Sequence, residues 1–205
     1  MLVLPLRTRV LLAWMLAVVV GSFFGPADTF TWFLEVAPVL LGVVLIALTA
    51  KRFPLTPLLT VLIGVHAAIL ALGGTYTYAE VPFGFWLQDL LGFDRNPYDR
   101  IGHLAQGFVP AILARELLLR SSPLEPGKWL AFLCVCACLA FSAFYELIEW
   151  WAALATGEAA EAFLGTQGDQ WDTQWDMLLA LIGAILSLAL LSRLHGRQLA
   201  RLQTR

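Results

Sequence analysis

The sequence predicts an all-α protein, a polytopic membrane bundle of six transmembrane helices with both termini cytoplasmic. Three observations carry this. Sixty per cent of the 205 residues are hydrophobic and only 14% are charged, with a mean hydropathy of +0.77, far from the balance of a soluble domain. Six apolar stretches, each close to the roughly 20 residues that cross a hydrocarbon core of about 30 Å, lie between charges, prolines and glycines. The cations then gather at every second connection between those stretches, on one side of the bundle.

The stretches are residues 9–25, 31–50, 55–73, 99–120, 129–152 and 175–192. The first follows Arg7 and Arg9 as a signal peptide would, but no small-x-small cleavage site follows it, so it reads as a retained span. The fourth is interrupted by Gly107 and Pro110, which predict a kink or a close helix contact. Of the 13 Lys and Arg, eleven (Arg7, Arg9, Lys51, Arg52, Arg115, Arg120, Lys128, Arg193, Arg197, Arg201 and Arg205) share one side of such a bundle. Only Arg95 and Arg100 take the other. Positive residues stay inside, which places both termini in the cytoplasm. Glu116 and Glu125 are the only acids on that side, so the outer face is acidic.

The chain is one domain over 1–205, without repeats or low-complexity segments. Two outer connections are long, from Gly74 to Tyr98 and from Ala153 to Asp172. The first contains VPFGFWLQDLLGF, a composition suited to the headgroup zone, and the second contains GEAAEAF. Trp150, Trp151, Trp171 and Trp175 mark the outer boundary as interfacial anchors. Cys134, Cys136 and Cys138 read as small apolar residues, because 136 points away from the face that 134 and 138 share.

Candidate chemistry gathers at three pairs. Asp99 and His103 begin the fourth span at i, i+4; Glu146 and Glu149 end the fifth at i, i+3; Asp172 and Asp176 open the sixth at i, i+4. Each pair shares a helical face, and all three reach the same outer-leaflet depth. Acids in a first turn can be caps and dipole partners, which would account for Asp99, Asp169, Asp172 and Asp176 without function. Glu146 and Glu149 stand at a helix C-terminus, where the dipole opposes anions, so they need a partner: His103, Arg100, a proton or a metal.

Carboxylates with one His form a hard donor set suited to Mg²⁺, Mn²⁺ or Ca²⁺; a zinc site usually contains more His or Cys. The expected metal ligands are Asp99, His103, Glu146, Glu149, Asp172 and Asp176, with His103, Glu146 and Glu149 as acid–base candidates. Proton-sharing carboxylates are the alternative. Glu116 reads as neutralised by Arg115 or Arg120, and His66 as a satisfied core histidine. Glu35 reads equally as a member of the cluster or as an interfacial side chain. No nucleotide, hydrolase or zinc-protease motif is present, nor a basic aromatic surface for nucleic acid.

The strings RNPYDRIGHLAQGF (95–108), Arg115–Glu116, FYELIEWW (144–151) and GDQWDTQWDM (168–177) resemble the YjdF family of bacterial inner membrane proteins, over essentially the whole chain. The resemblance implies a multi-pass inner membrane protein and assigns no activity. A second, weaker likeness is to VanZ-like membrane proteins, whose D-x-x-x-H, S-x-x-x-E-x-x-(Q/E) and D-x-x-x-D-x-x-x-N strings correspond to Asp99–His103, Ser142–Glu146–Glu149 and Asp172–Asp176, with Ala180 in place of the Asn. It implies envelope work. The leading expectation is thus a divalent cation pocket that binds or acts on an envelope lipid. A proton- or cation-coupled carrier and a membrane assembly partner are the rivals.

Overall fold

The computed structural model describes residues 4–156 and 166–203, and among these the only regular elements are helices. They are α1 (Leu6–Ser22), α2 (Thr29–Thr49), α3 (Pro57–Tyr76), α4 (Pro82–Leu91), α5 (Tyr98–Ser121), α6 (Lys128–Thr156) and α7 (Asp172–Gln203). Four of them, α2, α3, α6 and α7, are long and apolar enough to cross a membrane. Helix α1 has 17 residues, and α5 carries Asp99, Arg100, His103, Arg115, Glu116 and Arg120 along its length.

Local chemistry sets the boundaries. Asp28 caps α2, its carboxylate accepting from the Thr31 N–H at 2.6 Å, and that bond holds the acid below its ordinary range. Thr56 caps α3 ahead of Pro57 at its first turn. Gly92, at φ +68°, ends α4 in the left-handed conformation that glycine adopts without strain.

The six long helices run alternately between two ends and form two groups. In the first, Leu11, Met15 and Val19 of α1 pack with Trp32, Val36, Val39 and Ile46 of α2 and Ala67 of α3. In the second, Ala111 of α5, Cys138 of α6 and Ala184 of α7 make a core of small side chains. Cys134 and Cys138 are buried free thiols, as expected of small apolar residues, whereas Cys136 is exposed because it points away from the face that the other two share, which corrects the expectation that all three are buried. Helices α3 and α5 join the two groups; Tyr98 donates its hydroxyl to the Ile69 carbonyl at 3.1 Å.

Helices α5 and α7 make the closest approach. A Cβ on Gly107 would fall inside the Ala180 carbonyl, and one on Gly183 would meet the Leu104 carbonyl. Gly107 therefore marks a close contact of two backbones, the second of the two roles its position allowed. Glycine is required at both positions because the obstacle is main chain and cannot rotate away.

The 82–91 segment is helical, with Phe83, Phe85, Trp86, Leu90 and Leu91 exposed. That pattern suits a helix lying along the headgroups. Trp150, Trp151, Trp171 and Trp175 are also exposed at this end. The GEAAEAF string lies outside the described residues. Helix α7 continues past residue 192, where the apolar stretch ends, to Gln203, so Arg193, Arg197 and Arg201 stand on a helix.

Candidate functional site

Every one of the six candidate side chains is buried. Asp99, His103, Glu146, Glu149, Asp172 and Asp176 are each at most 8% exposed. They converge because α5 and α7 touch backbone to backbone one to two turns deeper, while α6 leans on both. His103 stands at the centre. Its Nε2 lies 3.5 Å from Asp99 Oδ1 and 3.8 Å from Asp176 Oδ1, and its Nδ1 lies 3.9 Å from Glu146 Oε1.

Two sets of three can each place one donor atom apiece within 4.8 Å of one another: Asp99, His103 and Asp176, and His103, Glu146 and Glu149. The His103 Nδ1, Glu146 Oε1 and Asp176 Oδ1 atoms are buried without a hydrogen-bond partner. Separations of 3.8 and 3.9 Å exceed a hydrogen bond. Leaving such atoms unsatisfied in the interior is costly, on the order of 1–3 kcal/mol each and more for charges.

Asp172 belongs to a different network. Arg95 donates through Nη1 to Asp172 Oδ1 at 2.5 Å and to the Thr166 carbonyl at 2.9 Å, and its Nη2 reaches Asp99 Oδ2 at 3.5 Å. Arg100 donates to Asp169 Oδ2 at 3.2 Å and lies over the Trp175 ring at 5.4 Å. Asp169 Oδ1 accepts from the Trp171 N–H at 2.9 Å. Asp169 thus closes a turn just ahead of α7 and pairs with Arg100, whereas Asp172 is committed to a guanidinium and stands in neither set of three. Backbone pairing of Asn96 with the Gln167 side chain, at 3.1 Å in both directions, ties the two outer connections over the site.

Removing Arg95 would leave Asp172 buried and unpaired. Arg95→Gln is expected to cost roughly 3 kcal/mol of stability, and Asp172→Asn in the same chain to restore most of it. Thermal unfolding of the two single variants and the double variant in detergent measures this coupling; additive losses would show that the pair does not interact.

Three further residues complete the pocket. Glu35 of α2 is buried at 5% exposure and accepts from the Tyr145 hydroxyl at 3.2 Å, so it joins the cluster and does not reach for the interface. His66 of α3 leaves Nε2 buried without a partner, against its reading as a satisfied core histidine. With Gln106 these side chains line a cavity of about 40 Å³ that also touches Asp99, His103 and Glu149. It has room for a water or two, at about 30 Å³ each, or for a bare ion.

At the opposite end of α5 a second network is fully satisfied. Glu116, 0% exposed, accepts from Arg120 Nη1 at 2.8 Å, Thr56 Oγ1 at 2.7 Å and the Thr56 N–H at 3.1 Å, and its Oε2 lies 2.9 Å from His195 Nε2. Arg115 Nη1 lies 2.7 Å from His195 Nδ1. Arginine only donates, so Nδ1 accepts and Nε2–H points to Glu116. Arg120 neutralises Glu116, as its spacing predicts, while Arg115 serves His195. The role of His195 escaped the hydropathy reading, although its spacing to Leu199, also buried, continues the apolar stripe of α7.

Seven carboxylates (Glu35, Asp99, Glu146, Glu149, Asp169, Asp172 and Asp176) meet two guanidiniums, Arg95 and Arg100, at the pocket end. An all-helical membrane protein with a buried acid–histidine pocket at one end of its bundle is the class that fold and site define. The chain belongs to the DUF2238 family, described as "Predicted membrane protein (DUF2238)", whose pattern matches residues 7–197. It is 58% identical over 174 residues to "Inner membrane protein YjdF" of Escherichia coli (strain K12), covering 85% of this chain and 83% of that protein. It is an inner membrane protein of the YjdF family. No solved structure matches it.

Proposed function

We propose that this chain crosses the inner membrane six times with both termini in the cytoplasm, holds a divalent cation in its outer-leaflet pocket, and presents that ion to the headgroup of an envelope lipid. The observation that carries the reading is the spacing around His103. Ligands bind Mg²⁺, Mn²⁺ or Ca²⁺ at about 2.0–2.6 Å, so two donors of one ion stand on the order of 3–4 Å apart. The separations of 3.5 Å to Asp99 and 3.8 Å to Asp176 fit that interval.

In this arrangement Asp99, His103 Nε2 and Asp176 hold the ion, and Glu146 with Glu149 faces the other ring nitrogen. A carboxylate behind a metal-bound histidine orients the ring and raises its basicity. The excess of carboxylates over guanidiniums supplies the attraction. Bound there, the ion would polarise a phosphoryl or acyl oxygen of the lipid, and Glu146 or Glu149 would hold the proton exchanged.

A carrier would need a route past the middle of the bundle. Between the pocket and the Glu116 network, α5 and α7 touch through Gly107 and Gly183, and Ala111, Ile112, Cys138 and Ala184 are at most 1% exposed. That packing favours a site open to one side.

The test is calorimetric titration of chelator-treated protein in detergent with Mg²⁺, Mn²⁺, Ca²⁺ and Zn²⁺. One ion per chain from the hard set is expected, followed by cation-dependent thermal stabilisation on adding envelope lipid extract. No ion uptake would overturn the metal reading; equal stabilisation by lipid with and without the ion would overturn the lipid step.

A further inference from the structure

On the side of α3 turned away from the carboxylate pocket, a groove of about 570 Å³ runs between α1 and α3. Its floor is Gly64 and Ala68, its wall is Trp14, and Tyr98 closes the pocket end while Arg7 stands at the other. Besides Arg7, three polar side chains line it, and each spends its polar atom on a backbone carbonyl. Trp14 Nε1 donates to the Gly64 carbonyl at 2.9 Å, the Tyr98 hydroxyl to Ile69 at 3.1 Å, and the Thr60 hydroxyl to Thr56 at 2.9 Å. What remains is a hydrocarbon surface with one charge at one end.

Thr60 to Leu72, the stretch of α3 that lines the groove, spans about 18 Å at 1.5 Å per residue, close to the roughly 15 Å of one leaflet's hydrocarbon. Arg7 is exposed and stands in no ion pair with any described acid. Length, apolarity and terminal charge are those that an amphiphile with one extended chain and an anionic head would match. We propose that the groove binds one acyl chain of an anionic phospholipid, with the lipid phosphate diester on Arg7. The head then sits at the end of the bundle opposite the carboxylate pocket, so this site is separate from the outer-leaflet one. A second copy of the chain fits less well, because a two-fold pairing of this face would set two Arg7 side chains together without counter-charge.

Trp14 supplies the readout. The full chain is reconstituted in phosphatidylcholine vesicles doped with phosphatidylglycerol or phosphatidylcholine carrying brominated chains, and the Trp14 contribution is taken as the difference from Trp14→Phe. Brominated phosphatidylglycerol is expected to quench Trp14 at about fivefold lower mole fraction than brominated phosphatidylcholine, the effect of one arginine on an anionic lipid. Arg7→Gln should erase that preference while leaving quenching in place, and Ala68→Leu, which fills the floor, should weaken quenching by both lipids. Equal quenching by both headgroups in the unaltered chain would overturn the proposal. So would disulfide-linked dimers of Val61→Cys at low protein density. If Ala68→Leu does not fold, the Arg7→Gln comparison decides alone.

Discussion

His103→Ala is expected to lower divalent cation affinity at least 100-fold, with Asp176→Asn close behind. Losing even a group that supports a metal ligand costs 10–100-fold, and His103 is the one residue common to both sets of donors. Glu146→Gln, which alters the support and leaves the proposed ligands in place, should fall within that 10–100-fold range. Asp172→Asn should stay within about tenfold of the parent, since Asp172 pairs with Arg95 and stands in neither set of three. Glu125→Gln, exposed at the far end, should change nothing. Elemental analysis and calorimetry of the purified variants read the series. If Asp172→Asn is the variant that empties the protein and His103→Ala is harmless, the ion sits elsewhere among these acids.

The second large effect belongs to the seam of α5 and α7. Gly107→Leu should leave no folded protein, and Gly107→Ala should cost roughly 3 kcal/mol, the upper part of the overpacking range, or about 10 °C in Tm for a chain of this size. The reason is that the added carbon meets the Ala180 carbonyl, so relief demands that two helices part. Parting them also draws Asp176 away from His103, and Gly107→Ala should therefore lose cation affinity along with stability. Gly21→Ala, where an added Cβ meets nothing within 4 Å, is the control. An unchanged melting temperature for Gly107→Ala would mean that the two backbones are farther apart than described.

Much of this arrangement was readable beforehand because helical periodicity is a strong constraint. Asp99 with His103, Glu146 with Glu149 and Asp172 with Asp176 had to share faces, and alternating helix direction brought the faces to one level. What spacing cannot convey is which neighbour each acid chooses. Asp172 and Asp176 occupy equivalent positions in sequence, yet Arg95 claims the first and His103 faces the second. Glu35 and His66 come from helices whose rotation is set by packing in the other half of the bundle, so spacing left Glu35 between two readings and gave no sign that His66 enters the cavity. His195 was hidden by charge: Arg193 and Arg197 on either side mask a buried position that only a helical continuation of α7 reveals.

Helix α5, charged at both ends, also bears on how the protein is made. A charge at the centre of a lone spanning helix costs about 2.5–3.5 kcal/mol and one nearer its ends less; if α5 spans as proposed, its His103, Arg115 and Glu116 find their partners on α7. While the ribosome is still translating the carboxyl-terminal third, α5 has no His195 or Asp176 to meet. In the proposed six-span topology it is then expected to wait at the translocon or the bilayer surface until α7 emerges. Chains truncated before residue 172 are therefore expected to leave α5 accessible to water-soluble thiol reagents at an introduced cysteine, and to be cleared by membrane proteases faster than the full-length protein.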